Sequence, residues 1–105
     1  EKVFVESARN LGQRLLLEGG ETLSDRVEFG FRTTLARSPR AQELTLLKSA
    51  YRQYREAYQD DLAGAEKLIQ YGESIANPSL DPRELAAATA FSNVLLNLDE
   101  TITKE

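Results

Sequence analysis

Three tyrosines interleaved with two arginines, Tyr51, Tyr54 and Tyr58 with Arg52 and Arg55, are the residues whose types best suit recognition chemistry. Tyrosine rings stack on bases or sugars, and guanidinium groups pair with anions. The alternating spacing of 3 and 4 residues also marks one face of a helix. That periodicity favours a different use: rings filling a core with hydroxyls at its edge, and arginines turned to solvent. The carboxylate pairs Asp60-Asp61 and Asp99-Glu100 could serve acid–base chemistry only if two carboxyls converged across a cleft. Neighbours on a helix diverge by about 100°, so neither pair forms such a site alone. A calcium loop needs alternating oxygen ligands around a turn glycine, and that spacing is absent, so Asp61 reads as a helix cap. None of the serines has a histidine to act as base, because the chain contains none, and no Gly-x-Ser-x-Gly or Ser-x-x-Lys occurs. The absence of cysteine removes thiol chemistry, disulfides and soft metal sites together. Gly19-Gly20 follows a helical pattern, not a strand, and does not read as a phosphate loop. The expectation is a chain with no catalytic residues of its own, no cofactor and no metal.

A length of 105 residues leaves room for one domain with one core. Apolar residues at 41% and charged residues at 29% are the mixture of a soluble globular protein rather than a disordered one. No apolar run approaches the roughly 20 residues of a membrane span. Methionine is also absent, so the chain is expected to be a piece of a longer protein.

The elements that must position these residues are legible from their punctuation. Phe4, Ala8, Leu11 and Leu15 mark a first helix over 3–18, ended by Gly19-Gly20, with no cap of its own. Thr22 with Asp25, or Ser24 with Glu28, starts a second, on which Val27, Phe31 and Leu35 share a face and Gly30 lets a neighbour approach. It ends near Arg37. Ser38-Pro39 predicts the start of a third helix, with Leu44, Leu47, Tyr51, Tyr54 and Tyr58 as its seam. A fourth runs from Leu62 to Tyr71, capped by Asp60 or Asp61 and closed by Gly72. Asp81-Pro82-Arg83-Glu84 combines an Asp cap, proline in the first turn and a capping-box glutamate, opening a fifth helix to about Thr101. Its Ala86–Ala88 run offers a thin surface for close packing. Nothing reads as a strand. The fold class is all-α, a compact bundle of about five helices, with about 70% helix against the roughly one third of an average globular protein. The predicted core is Phe4, Leu11, Leu15, Val27, Phe31, Leu35, Leu44, Leu47, Tyr51, Leu68, Leu85, Phe91, Leu95 and Leu98.

The net charge of −4 hides an asymmetry: a basic middle from Arg26 to Arg55 and an acidic stretch from Glu56 to the end. Attraction between the two explains this better than nucleic-acid binding, which would need the basic patch left open. Asp99 and Glu100 stand at a helix C-terminus, where the dipole disfavours negative charge, so they are expected to have partners elsewhere. Arg26, Arg32 and Arg37 are the predicted partners, and Asn97, inside an apolar run, is expected to be partly buried beside them. The six residues would form a structural polar latch.

Several segments together resemble a known family. Val3-Phe4-Val5-Glu6-Ser7-Ala8-Arg9 opens a helix ending in Glu18-Gly19-Gly20; Asp25-Arg26 and Phe31-Arg32 lead to Arg37-Ser38-Pro39-Arg40-Ala41-Gln42-Glu43-Leu44; Glu84-Leu85-Ala86-Ala87 precedes Leu95-Leu96-Asn97-Leu98-Asp99-Glu100. The combination resembles the C-terminal domain of unknown function of large secreted planctomycete-type proteins that carry a cytochrome c domain. Ser38 stands where that family frequently has proline. The resemblance implies an extracytoplasmic parent, a C-terminal position and no assigned reaction; the haem motif belongs to another domain. The reading is a non-catalytic helical module that docks on the upstream domains of its parent or on another protein. Neither nucleic-acid binding nor membrane insertion is expected. The alternative is a subdomain completing an enzyme or ligand-binding cleft formed by upstream domains.

Overall fold

Five helices and no strand make up the described chain: α1 (Lys2–Glu18), α2 (Leu23–Leu35), α3 (Ala41–Gln59), α4 (Leu62–Ile69) and α5 (Pro82–Lys104). The computed structural model describes residues 2–70 and 75–104, with side chains from 6 to 99 within those ranges. These helices take up more than three quarters of the chain, so the all-α bundle expected from the patterning is what the chain forms.

Most of the local punctuation operates as read. Thr22 Oγ1 accepts the Asp25 N–H at 3.0 Å and starts α2. Asp61 accepts the Gly64 N–H at 3.0 Å and starts α4. Asp81 accepts the Arg83 N–H at 2.9 Å beside Pro82. Two starts differ. The third helix begins at Ala41 rather than at Ser38-Pro39, because the Glu43 carboxylate accepts the Arg40 N–H at 2.8 Å and supplies the acceptor expected of Ser38. Glu84 is not seen closing a capping box; it reaches across to Arg55 instead, at 3.5 Å. The second helix ends two residues early, at Leu35, where Ala36 takes the left-handed conformation with φ 61°. The fourth ends at Ile69; its expected stop at Tyr71-Gly72 lies outside the described residues.

The longest helix, α5, is the axis of the bundle and packs against all four others, most extensively against α1. Residues 85–88 are fully buried, so the alanine run does let neighbours close in. Where α1 crosses it, Gly12 lies so close that a Cβ there would sit 2.9 Å from the Thr89 backbone nitrogen. Around this axis Leu11, Leu15, Val27, Phe31, Leu47, Tyr51, Phe91 and Leu95 form the main cluster. A smaller one of Ala65, Ile69, Leu85 and Ala86 lies under α4.

Of the predicted core, Leu35, Leu44 and Leu68 are half-buried at its margin, and Phe4 lies outside the described side chains. Leu98 is a correction: it is 37% exposed, a turn past Leu95, the last buried member of the main cluster among the described side chains. Patterning missed Arg9, which is completely buried and donates from Nη1 to the Ile69 carbonyl at 2.6 Å. This bond ties α1 to the C-terminal end of α4, where the helix leaves carbonyls unpaired and favours positive charge.

Candidate functional site

Among the described residues, Arg26, Arg32 and Arg37 of the predicted latch make no bond with Asp99, and the Glu100 half of the expectation lies outside them. Arg37 donates through Nη1 and Nη2 to the two carboxylate oxygens of Glu43, at 3.0 and 2.9 Å, and its guanidinium lies 4.9 Å from the centre of the Phe31 ring. Arg26 donates from Nε to the Gly20 carbonyl at 3.0 Å. Among the described residues, neither bonds Asp99. Arg32 and Asn97 are exposed and Asp99 is half-buried, while the Glu100 side chain lies outside the described residues. The physical reason is distance along the chain. Glu43 lies six residues from Arg37 and Gly20 six from Arg26, so local partners capture both guanidinium groups at little entropic cost. The Arg37 guanidinium and the Arg40 N–H together hold the Glu43 carboxyl down at about 2. Asn97 is a correction too. It stands 200° around the helix from Leu95, on the outer face, and its apolar neighbours in sequence are not its neighbours in space.

The tyrosines and arginines of α3 divide between two different depressions. Tyr51 is fully buried and stacks on Phe91, with ring centroids 4.9 Å apart, so the periodic reading holds for it. Burial raises its hydroxyl above the ordinary tyrosine value, and the nearby positive charge of Arg26 partly offsets that. Tyr54 and Tyr58 are half-buried and line a pocket of about 190 Å³ with Ala8, Leu68, Thr89, Ala90 and Asn93. Burial pushes the Tyr58 hydroxyl up as well, reinforced by Asp61 and Tyr54, so this wall of the pocket is neutral.

Arg52 and Arg55 face the other way. With Glu56, Gln59, Asp81, Arg83 and Glu84 they line an open cleft of about 380 Å³ between α3 and the start of α5. Arg83 crosses it, donating from Nη1 to the Gln59 carbonyl at 3.0 Å. Arg55 and Glu84 face each other at 3.5 Å, both partly exposed. Arg52 makes no hydrogen bond or ion pair with another described residue. The combined stacking platform is therefore not assembled: residues adjacent on a helix point about 100° apart, which sends rings and guanidiniums to separate surfaces.

Three acids offset the three arginines of the cleft, so its formal charge is balanced. Among the described residues no cluster of acidic side chains is placed to hold a metal ion, and no helix is long and apolar enough to cross a membrane. No protein-family model, curated protein or solved structure matches the chain.

Proposed function

We propose that the chain is a non-catalytic helical module that docks another protein surface, most simply an upstream domain of the same parent, through the cleft between α3 and the start of α5. The single observation carrying this reading is the mixed-charge lining of that cleft, with Arg52 at its rim left without a partner among the described residues. An arginine held on a helix and already surrounded by compensating charge offers a planar donor fork to a carboxylate on the docking surface. The cleft's own acids, Glu56, Asp81 and Glu84, would repel a phosphate chain but accept lysines or arginines from a protein. A C-terminal position in an extracytoplasmic parent rests on the family resemblance and is part of this proposal.

The test is association of the chain with the remainder of its parent, supplied as a separate protein. Arg52→Glu should weaken the complex by roughly tenfold or more, and added salt should weaken the unaltered complex, as expected for exposed charge pairs. Association that is unchanged by Arg52→Glu and by salt would place the docking surface elsewhere. The second reading, a subdomain that contributes to a ligand-binding cleft, is favoured by the separate pocket beneath Tyr54 and Tyr58.

A further inference from the structure

Lys48, Arg52, Glu56 and Asp60 follow one another along α3 at every fourth residue. Residues at that step form a ridge on a helix surface, so the four stand in one oblique row. Arg52, Glu56 and Asp60 are exposed and Lys48 is half-buried. None of their side chains makes a hydrogen bond or ion pair with another described residue. The row is blocked by sign, two positive charges and then two negative. That order does nothing for α3 itself. Glu56 lies in its last turn and Asp60 at its C-cap, where the helix dipole disfavours negative charge, and no basic residue of that turn offsets them. Arg52 precedes Glu56, the weaker order for charges one turn apart, and the two do not pair. A helix face that meets only water more often alternates its signs.

Laid against its own reverse, the row matches every charge. In an antiparallel pair of α3 helices with a two-fold axis at the level of Tyr54, Lys48 faces Asp60 and Arg52 faces Glu56, and both pairs recur across the axis. Such reciprocity is what a two-fold interface demands of a surface. Rows of this step run alongside each other in the commonest class of helix packing, at a crossing angle of about 50°. The adjacent row, Thr45, Ser49, Gln53 and Ala57, is exposed and uncharged, and all but Gln53 are short. A uniformly acidic or basic partner would leave half of the charged row facing its own sign. We propose that this ridge of α3 pairs with the same ridge of a second copy of the chain, forming a weak two-fold dimer. The inference rests on the docking reading of the cleft, whose lining includes Arg52 and Glu56, and it names a second copy as the occupant of that side.

The experiment is sedimentation of the intact chain over a range of concentrations, alone and as two variants. Arg52→Glu makes the middle of the row wholly negative and Glu56→Arg makes it wholly positive, so each variant repels its own copy. Mixed together, the two complement each other at both positions. The unaltered chain should dimerise reversibly with a dissociation constant of roughly 0.1–1 mM, because exposed charge pairs are individually weak. Added salt should weaken the dimer several-fold. Each variant alone should self-associate roughly tenfold or more weakly, and an equimolar mixture should dimerise at least as tightly as the unaltered chain. Both positions are exposed, so circular dichroism should show the same helix content in all three proteins. An unaltered chain that stays monomeric at about 1 mM, variants that self-associate as it does, or a mixture that stays monomeric would overturn the proposal. If the chain is monomeric and Arg52→Glu still weakens its association with the remainder of the parent, the docking reading survives and the second copy does not. If the mixture restores the dimer and the remainder of the parent does not bind, the second copy is the partner and the upstream domain is not.

Discussion

Replacing Gly12 by alanine should destabilise this protein, although the same exchange in an ordinary helix interior stabilises by about 1 kcal/mol. The added Cβ would stand 2.9 Å from the Thr89 nitrogen and 3.1 Å from both Ala88 C and Thr89 Cα. All three are backbone atoms of α5, which no rotamer change can move. Ordinary contact begins at 3.4 Å, so α1 and α5 must part by about half an ångström. A gap of that size forfeits about a quarter of each dispersion well across the interface. Leu11 and Leu15 belong to the cluster that α5 shares with α1. A buried leucine makes about 40–60 atomic contacts at about 0.1–0.2 kcal/mol each. If about a third of these face α5, the two leucines lose about 1 kcal/mol, and the rest of the interface about doubles it. This agrees with the usual cost of overpacking, about 1–3 kcal/mol. After the propensity gain the net loss is about 1–2 kcal/mol, a fall in melting temperature of about 5–15 °C. Thermal unfolding followed by circular dichroism measures it. Gly30→Ala is the internal control, since its Cβ meets only the ends of the Leu95 and Leu15 side chains, which can turn aside; it should cost less. A Gly12→Ala protein that melts at or above the parent would show that the two backbones are not in contact there.

Four further outcomes follow from the same packing. Phe31→Ala, at a site 1% exposed, should cost about 3–5 kcal/mol in denaturant unfolding, and a loss below about 1 kcal/mol would mean that the ring is not in the core. Arg9→Met removes the donor to the Ile69 carbonyl and should cost about 1–3 kcal/mol, read as a lower urea midpoint. Ala36→Gly should stabilise by about 0.5–1 kcal/mol, because glycine takes the left-handed φ of 61° without the alanine's steric penalty; no gain would place the end of α2 elsewhere. The Glu43 carboxyl titrates lower in the folded than in the unfolded chain, so its stabilising contribution is complete above the ordinary carboxylate value near 4.5 and is lost as pH falls towards about 2. Glu43→Gln should therefore flatten the acid limb of the stability profile within that window, and an unchanged limb would separate Glu43 from Arg37.

The amino-acid sequence determined by itself those features whose causes lie within a few residues. Thr22, Asp61 and Asp81 cap helices because their side-chain oxygens reach backbone N–H groups two or three positions on, whatever the rest of the chain does. The face carrying Leu47 and Tyr51, and the face carrying Val27 and Phe31, are settled by a 3.6-residue period that any partner would have to respect. Asp61 was legible as a cap, and Tyr51 as a core ring, for the same reason. Tertiary structure alone decided which group bonds which across the bundle. Glu43 is the local exception: only three residues from the Arg40 N–H and six from Arg37, it supplies the acceptor expected of Ser38 and meets that arginine more cheaply than a carboxylate at the far end of the chain. Arg9 gave no signal, because a charged residue between Ala8 and Asn10 reads as solvent-facing until the Ile69 carbonyl is brought beside it. Gly12 passed for an ordinary helical glycine until α5 crossed over it. The run from Leu95 to Leu98 suggested that Asn97 was enclosed, whereas a helix turns it outward. The pocket of Tyr54, Tyr58, Thr89 and Asn93 could not be read at all, because a cavity is the space that four helices leave between them, and no local rule sets their separations.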